Sequence, residues 1–387
     1  MKRIYFDHNA TTPTHPDVVK TMLPYYDSLY GNASSIHQFG REAKKAIEES
    51  RAGIASLINA KRPDEIVFTS GGSESDNFAI RGVAHALKNK GDHIILSSIE
   101  HLAVDNTCKF LEKNGYRVTR IPVDKYGIID LNALHSAITD RTILITVIYA
   151  NNETGTIEPL KDIVKIAGEK GVYVHTDAVQ AVGKIKVDVE DLGVDLLSLS
   201  GHKFYGPKGV GALYIRKGTK ITPVQTGGHH EKNRRAGTEN VPGIVGIGKA
   251  AQLAMKNMDK EARRISGLRD RLQDGIEKSI KQTKLNGHPT DRLPNTCNIS
   301  FEYLEGESII LNLDMEGVGV STGSACTSGS LEASHVLLAM GVSAQTAQGS
   351  IRFSLGRINT KAEIDYVIEK LPSIIERLRK MSPLYEE

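Results

Sequence analysis

Three side chains suited to covalent and proton-transfer chemistry lie close together near the middle of the chain. Ser200, His202 and Lys203 follow the mostly apolar run Leu196–Leu199, and a stretch rich in glycine and proline comes after them. A lysine at the end of an apolar run can lose its proton more readily, because desolvation disfavours the ammonium, and the neutral amine can form a Schiff base. Lys203 is therefore a candidate to bind an aldehyde cofactor covalently. A solvated loop that happens to contain a lysine is the alternative.

A glycine-rich turn earlier in the chain could hold a phosphate group. The turn Ser70–Ser75 follows the apolar segment Ile66–Thr69 directly and precedes a helical pattern. Its glycines leave backbone N–H groups at the positive end of that helix, and the Ser73 hydroxyl adds another donor. The turn has neither the lysine of a nucleotide P-loop nor the three-glycine fingerprint of dinucleotide-binding proteins. An ordinary helix cap is the alternative.

Other strand ends carry groups that suit an aromatic ring. Asp177 follows a predicted strand and could pair with a protonated ring nitrogen, while the Gln180 amide could reach a ring oxygen. His101 offers an imidazole that can stack on a ring or move protons near neutral pH, and the segment Asn151–Gly155 adds amide and hydroxyl groups. Helix capping by Asp177 is the alternative for that residue. Together with Lys203 and the phosphate turn, these groups predict pyridoxal phosphate as the cofactor.

The elements that must position these groups alternate between strand and helix over about 150 residues, judged from the spacing of the apolar runs. Runs such as Ile143–Ile148 are apolar on both faces, which indicates a mostly parallel sheet covered by helices. The predicted fold class is therefore α/β, and in such sheets ligands collect at the carboxyl ends of the strands. The seven predicted strands are Glu65–Thr69, His93–Ser97, Arg117–Ile121, Thr142–Ile148, Val172–Thr176, Asp195–Leu199 and Val210–Ile215.

Composition excludes several classes of protein. The chain has 387 residues, of which 40% are hydrophobic and 25% charged, as expected for a globular protein of two domains. Its net charge of +3, without a dense Lys/Arg block, favours neither a nucleic-acid nor a membrane partner. No stretch reaches the ~18 apolar residues of a membrane span, and no charged leader precedes an apolar run, so a cytoplasmic location is predicted. The three cysteines have no paired metal-ligand spacing, and no resident metal is predicted.

Nine motifs occur in an order and spacing that is specific as a set. They are Tyr5–Thr12, Thr69–Ser75, Glu100–His101, Asn151–Gly155, His175–Gln180, Ser200–Lys203, Arg234–Asn240, Ser321–Cys326 and Ile351–Arg352. With them the chain resembles the fold-type I pyridoxal-phosphate enzymes, and within these the cysteine desulfurases of the NifS/IscS type, over essentially its whole length. The resemblance implies an aspartate aminotransferase-like fold, with a large domain built on a seven-stranded sheet and a smaller α+β domain.

The resemblance also implies roles around the cofactor ring. Lys203 resembles the lysine that holds the cofactor aldehyde, and Asp177 and Gln180 resemble the ligands of the pyridine nitrogen and the phenolic oxygen. His101 resembles the residue that stacks on the ring and transfers protons. Asn152 resembles a further contact to the cofactor and the substrate.

A second set of residues is implied around the phosphate. By the same resemblance Gly72, Ser73, Ser200 and His202 form the phosphate shell. Ser73 stands where related enzymes often carry threonine, a change that keeps the hydroxyl. Thr238 resembles a residue that reaches the phosphate from the neighbouring subunit, so the resemblance implies a homodimer.

The smaller domain is predicted to consist of residues 1–13 and 258–387, and the large domain of residues 14–257. A long helical pattern from Val241 to about Lys281 bridges the two. Arg352 is expected to hold the substrate carboxylate, since a guanidinium fork matches a carboxylate with two hydrogen bonds. A structural ion pair is the alternative. The elements predicted in this part are the strands Thr296–Phe301, Val318–Ser321 and Ser350–Ser354 and the helix Lys361–Met381.

Cys326 is the second predicted centre of the chemistry. It lies among small polar residues and glycines in Ser321–Ser330, a composition that favours a mobile loop accessible to solvent. The resemblance implies that the Cys326 thiolate takes the sulfur of L-cysteine as a persulfide and leaves L-alanine. Cys108 and Cys297 are expected to be buried and inert.

The resemblance further implies a recipient for the sulfur. This would be an iron–sulfur scaffold or another sulfur-acceptor protein, and Cys326 could serve as a transient iron–sulfur ligand. A selenocysteine lyase, an aminotransferase of the same fold and a sulfur-transfer scaffold without catalysis are the alternatives. The first two would share the cofactor site, and the third is disfavoured by the presence of Lys203.

Overall fold

The computed structural model describes residues 3–322, 333–383 and 385 of the chain. Cys326 and most of its predicted loop lie outside these ranges, so the conformation of the loop stays a prediction. The strands of the described residues are, in chain order, β1 (Ile4–Tyr5), β2 (Ile66–Thr69), β3 (His93–Ser97), β4 (Arg117–Ile121), β5 (Thr142–Thr146), β6 (Tyr173–Asp177), β7 (Leu196–Ser200), β8 (Gly211–Ile215), β9 (Thr283–Asn286), β10 (Thr296–Phe301), β11 (Val318–Gly319) and β12 (Ser350–Ser354).

Helices cover both faces of the largest sheet and complete the second unit. Residues 16–27 form two short helices and not one, because Pro24 begins a new helix. In the same described ranges the α-helices are α1 (Pro16–Met22), α2 (Pro24–Asp27), α3 (Gln38–Leu57), α4 (Gly72–Ala86), α5 (Leu102–Glu112), α6 (Leu131–Ala137), α7 (Leu160–Gly168), α8 (Val189–Leu192), α9 (Val241–Ser279), α10 (Gly306–Met315), α11 (His335–Ala339), α12 (Ala344–Gln348) and α13 (Lys361–Met381).

The largest sheet has seven strands in the order β2-β8-β7-β6-β5-β3-β4. All neighbouring pairs are parallel except those that β8 makes with β2 and β7. Strands β3, β5 and β7 are buried along their whole length, because helices pack on both faces of the sheet. The predicted α/β fold with a mostly parallel seven-stranded sheet is confirmed.

Several strand boundaries differ from the sequence prediction by one or two residues. The strand predicted over Thr142–Ile148 ends at Thr146, and the helix expected after the glycine turn already begins at Gly72, within that turn. Strand β9 was not predicted, since its four residues show no regular alternation in burial and lie at the edge of a small sheet. Short edge strands carry little periodicity, which makes them hard to recognise in a sequence.

The C-terminal part of the chain has a second hydrophobic core. The elements β1, β9–β12 and α10–α13 are called here the small domain. Strands β12, β10 and β9 form an antiparallel sheet, and β1 pairs in parallel with β11. The first strand therefore belongs with elements more than 300 residues later, and Phe6 is fully buried in their core. The domain boundaries predicted at residues 13 and 257 stay predictions.

The long helix α9 connects the two cores. Its first part, including Ile244 and Ile247, packs in the core beside the large sheet, whereas Ile265, Leu272 and Ile276 pack in the core of the small domain. The two cores are therefore linked by one continuous helix. Within the described ranges no helix combines the length and the apolarity needed to span a lipid bilayer.

Candidate active site

Ten of the twelve predicted site residues line a single cavity of about 340 Å³. The cavity lies at the carboxyl ends of β6 and β7, beside the first turn of α4. Thr238 is exposed and does not line this cavity, while Cys326 lies outside the described residues. The predicted residues in the cavity wall are Gly72, Ser73, His101, Asn152, Asp177, Gln180, Ser200, His202, Lys203 and Arg352.

Lys203 reaches the cavity from a single turn of 3₁₀-helix, Gly201–Lys203, that follows β7 directly. Its Nζ donates hydrogen bonds to the backbone carbonyl oxygens of Asn9 at 2.6 Å and Ala10 at 2.9 Å. Both acceptors belong to the N-terminal segment, nearly 200 residues earlier in the chain. The tertiary structure therefore holds the amine in the cavity wall, and the incidental-lysine alternative does not describe its position.

The glycine turn before α4 fits a phosphate group. Gly71 is the N-cap with φ +155°, a conformation open to glycine, and it provides no side-chain cap for the helix. A Cβ atom on Gly72 would lie 2.8 Å from Cγ2 of Val179. Because only glycine allows this close approach, the turn brings the helix N-terminus against the strand ends, where an anion can accept from its N–H groups.

Asp177 is the last residue of β6 and is buried at the end of the strand. Its Oδ1 accepts a hydrogen bond from the backbone N–H of Val179 at 2.9 Å. Burial raises the pKa of Asp177, and the nearby His101 and Lys203 oppose that rise. A positively charged ring nitrogen beside this carboxyl group would favour its ionised form further.

His101 serves both as a helix cap and as a part of the cavity wall. Its Nδ1 accepts from the backbone N–H of Ala103 at 3.1 Å, which caps α5. Burial lowers the pKa of His101. The side chain is therefore a neutral imidazole that carries its proton on Nε2, because Nδ1 is used as an acceptor. That tautomer leaves an N–H group for the cavity.

Arg352 is buried on β12 and makes the ion pair that the sequence left as an alternative. Its Nη2 lies 2.9 Å from Oδ1 of Asp7, and its Nη1 donates to the backbone oxygen of Asn152 at 3.0 Å. Among the residues that the structure describes, Nε of Arg352 has no hydrogen-bond partner. The guanidinium group therefore makes a structural ion pair, and the same residue lines the cavity.

The cavity also includes residues to which the sequence assigned no role: Asn9, Ala10, Asp76, Ile148 and Val179. Asn9 belongs to a motif that carries the family resemblance, but nothing local indicated its contacts. Asp76 is buried, and burial together with the nearby Asp177 raises the pKa of its carboxyl group. A carboxyl group on the buried face of the helix α4 is a signal that periodicity in the sequence could have revealed.

The two described cysteines are poor candidates for sulfur chemistry. Cys108 and Cys297 are fully buried in apolar cores, and burial raises the pKa of both thiols, that of Cys297 to about 12. Since the thiolate is the reactive form, neither residue is an activated nucleophile. Their expected burial is confirmed. In the described part of the chain no group of three or more His, Cys, Asp or Glu side chains is arranged to hold a metal ion.

Residues 4–367 match the family model for class-V aminotransferases, so the chain belongs to the aminotransferase class-V family. Enzymes of this family use pyridoxal phosphate, and the predicted cofactor is confirmed. The glycine cradle, the buried Asp177 and the Lys203 amine are the groups that this cofactor needs for its phosphate, its ring nitrogen and its aldehyde. The residues present therefore fit the cofactor.

Within that family the chain is similar to cysteine desulfurases. It is 57% identical to the cysteine desulfurase IscS of Dictyoglomus turgidum, over 100% of this chain and 98% of the relative. A solved NifS-like protein superimposes with a TM-score of 0.92 at 39% identity, covering 97% of this chain and 100% of the other. SspA, solved in complex with cysteine, gives a TM-score of 0.81 at 37% identity, with 91% and 98% covered. The predicted resemblance is confirmed.

Proposed function

We propose that the chain is a pyridoxal-phosphate-dependent cysteine desulfurase, which converts L-cysteine to L-alanine and holds the released sulfur as a persulfide on Cys326. The observation that carries this proposal is the convergence of ten predicted site residues on one cavity, with Lys203 and Arg352 both in its wall. The relatives that bear this activity in their names match the chain over its full length, and the predicted enzyme class is confirmed.

The substrate carboxylate is held by Arg352 in this proposal. Arg352 lines the cavity as a buried cation, and a carboxylate beside its guanidinium group would gain a charge-assisted contact. The ion pair with Asp7 fixes the plane of the guanidinium group before the substrate arrives. Asn152, whose backbone oxygen accepts from the same guanidinium, lies beside the clamp as a further contact. The complex of SspA with cysteine supports this amino acid as the substrate class.

Lys203 and His101 move the protons. When bound, pyridoxal phosphate supplies an electron sink for the charge that develops at the substrate Cα. The Lys203 amine removes the proton from Cα, and the neutral His101 imidazole, with its proton on Nε2, assists proton transfer on the other side of the cavity. Asp177, Gln180, Gly72, Ser73, Ser200 and His202 bind and orient the cofactor.

Cys326 receives the sulfur. Its thiolate attacks the substrate sulfur, an S–S bond forms, the C–S bond breaks, and the electron pair of the broken bond goes to Cβ, which takes up a proton. One thiol and one cysteine thus become one persulfide and one alanine, without an external oxidant or reductant. The persulfide then passes to an acceptor protein, for which we propose an iron–sulfur scaffold or another sulfur carrier. A cytoplasmic location is proposed because a reactive thiolate suits a reducing compartment.

A homodimer is part of the proposal. Thr238 is exposed in the single chain, as expected of a residue that reaches the phosphate of a neighbouring subunit. Large apolar side chains are exposed together near the N-terminus: Tyr30, Phe39 and Ile36, of which Ile36 is 90% exposed and the rings of Tyr30 and Phe39 stack. A second copy of the chain would cover this patch. Sedimentation of the wild type and Ile36→Asp tests this, and a monomeric wild type would contradict it.

The experiment that tests the proposed function is mass spectrometry of the purified holoenzyme after addition of L-cysteine. A mass gain of one sulfur atom on Cys326, with equimolar alanine, is expected in the wild type and not in Lys203→Ala. Sulfur on Cys108 or Cys297 would contradict the site assignment. Release of pyruvate, with full activity in Cys326→Ala, would instead indicate an aminotransferase. Turnover of selenocysteine with no reaction of cysteine would indicate a selenocysteine lyase.

A further inference from the structure

A second lysine lies behind the cofactor-binding groups and has no role in the chemistry proposed above. Lys184 follows Gln180 by four residues, at the end of the turn after β6. Its Nζ donates to the side-chain oxygen of Gln180 at 2.5 Å and to Oδ1 of Asn9 at 3.0 Å. The other end of the Gln180 amide, Nε2, donates to the backbone oxygen of Asn9 at 2.9 Å. Lys184, Gln180 and Asn9 thus form a closed set of hydrogen bonds.

This set allows only one orientation of the Gln180 amide. As an ammonium, Lys184 can only donate, so the oxygen of the amide faces it; for the neutral amine, which also has a lone pair, the backbone oxygen of Asn9 imposes the same orientation. The backbone oxygen of Asn9 only accepts, so the NH₂ group must face Asn9. One N–H of that NH₂ group is used on Asn9, and the second is available in the cavity wall that Gln180 lines. In a flipped amide, the NH₂ group would face the Lys184 amine that now donates to Gln180, and the amide oxygen would face the backbone oxygen of Asn9.

We propose that Lys184 is a positioning residue that locks the Gln180 amide with its N–H toward the ring oxygen of the cofactor. The inference rests on the proposed function only in taking Gln180 as the ligand of that oxygen. A locked donor stabilises negative charge on the ring oxygen, whereas an amide free to rotate would present its own oxygen part of the time. Lys184 itself need not touch the cofactor.

The lock does not depend on the charge of Lys184. Burial, together with the nearby cations Lys203 and Arg352, lowers the pKa of Lys184. The neutral amine still has two N–H donors, which is the number that Gln180 and Asn9 require. A test must therefore remove the N–H donors of Lys184 and not only its charge.

Methionine is the substitution that removes it with the least change of shape. Lys184 also borders a second cavity, of about 170 Å³, on the far side of Lys203. An alanine there would leave polar space that water can enter, and the water could replace the missing donor. Lys184→Met fills a similar length without an N–H group. Lys186→Met is the matched control, since the Lys186 side chain is 81% exposed two residues away.

The experiment measures how the holoenzyme holds its cofactor, by the rate of cofactor loss on dilution and by the pH dependence of its visible absorbance. Lys184→Met is expected to lose cofactor about tenfold faster, as for the loss of one buried hydrogen bond, with a shifted pH midpoint of the absorbance change. Lys184→Arg, which keeps donors at similar reach, is expected to restore most of the difference. Lys186→Met is expected to behave as the wild type.

A double-mutant cycle separates positioning from a merely structural role. If Lys184 acts through Gln180, then Lys184→Met changes cofactor loss by less than about twofold in a Gln180→Ala background. Full additivity of the two substitutions would overturn the proposal, as would a variant that unfolds at lower temperature but keeps the wild-type spectrum and cofactor retention. Should Lys184→Met fail to fold, Lys184→Gln, too short to reach both acceptors, gives the same readings.

Failure of the proposed function would look different. A wild-type protein that retains its cofactor but forms no persulfide would contradict the desulfurase activity, while the absorbance and retention measurements could still confirm or overturn the role of Lys184.

Discussion

The two walls of the cavity are constructed in different ways. On the large-domain side, Asp177 and Lys203 each come within a few residues of the end of their own strand, β6 or β7. On the opposite side, Arg352 of β12 is oriented by Asp7, 345 residues away in the chain. The first wall is held by the backbone of a single sheet, and the second by contacts between side chains of distant segments.

Asn9 joins the two walls. Its backbone oxygen accepts from Lys203 and Gln180, while its side-chain Nδ2 donates to Thr296 Oγ1 at 2.8 Å and to the backbone oxygen of Asn152 at 3.1 Å. Residues of the first wall therefore contribute mainly to activity, whereas residues at the junction contribute to activity and to stability. Substitutions on the sheet side should remove function and leave folding intact, and those at the junction should affect both.

The largest effect is expected from Lys203→Ala. Loss of the amine that moves the Cα proton should reduce alanine formation by at least about 10³-fold, since general acid–base groups contribute up to that order or more. The midpoint of thermal unfolding should fall only slightly, because the sheet holds the strand before Lys203 and the amine contributes only its hydrogen bonds to the backbone oxygens of Asn9 and Ala10. Turnover within tenfold of the wild type would contradict the assignment. Lys208→Ala, at an exposed lysine of the same segment, is the control.

Arg352→Gln addresses the second wall. We expect kcat/KM for cysteine to fall by about 10²- to 10³-fold, because a charge-assisted pair with the substrate carboxylate is lost and Asp7 is left without its partner. The matched change Asp7→Asn keeps the guanidinium and should lower kcat/KM less, by about tenfold or under. Steady-state kinetics on cofactor-saturated enzyme measures both. Equal effects of the two substitutions would show that the ion pair, and not substrate binding, is the important contact.

Asn9→Ala should weaken the connection between the walls. Its side chain makes hydrogen bonds with Lys184, Asn152, Asn295 and Thr296. Leaving buried partners unsatisfied should lower the free energy of unfolding by on the order of 2–4 kcal/mol. Urea denaturation measures the change, with Asn114→Ala at an exposed helix end as the control. An unchanged midpoint would mean that the small domain and the large sheet are joined by apolar packing alone.

Glu158 tests a buried carboxyl group that lies in neither wall. Burial raises its pKa to about 8, although Oε2 accepts from the backbone N–H of Ile129 at 3.0 Å. The folded state therefore keeps a proton that the unfolded chain releases near pH 4.5, so stability falls as the pH rises from about 4.5 to about 8 and changes little at higher pH. Glu158→Gln should raise the free energy of unfolding by several kcal/mol at pH 9, at roughly 1.4 kcal/mol for each pH unit between 4.5 and about 8, and hardly change it at pH 4. Equal effects at both pH values would contradict a raised pKa, and the activity should change least of the four variants.

Most of the first wall could be predicted from the sequence, because each group lies at a strand end within its own motif. The strand bounds agree with those expected to within a few residues, and β9 was missed because four residues at a sheet edge give almost no periodic signal. For the second wall, the sequence predicted one residue, Arg352, but not its contacts. Its partner Asp7 could not be identified, since nothing in the local pattern around either residue encodes a contact over 345 positions.

The class of fold, the cofactor and most groups of the cavity could be predicted from local patterns, because the chemistry of strand ends, glycine turns and short motifs can be recognised without coordinates. The orientation of these groups depends on contacts between segments far apart in the chain. The carbonyl acceptors of Lys203, the ion pair of Arg352 and the lock of Gln180 by Lys184 all pass through the N-terminal segment at Asp7, Asn9 and Ala10. That segment reaches the cavity because β1 pairs with β11, a register that depends on the packing of the small-domain core.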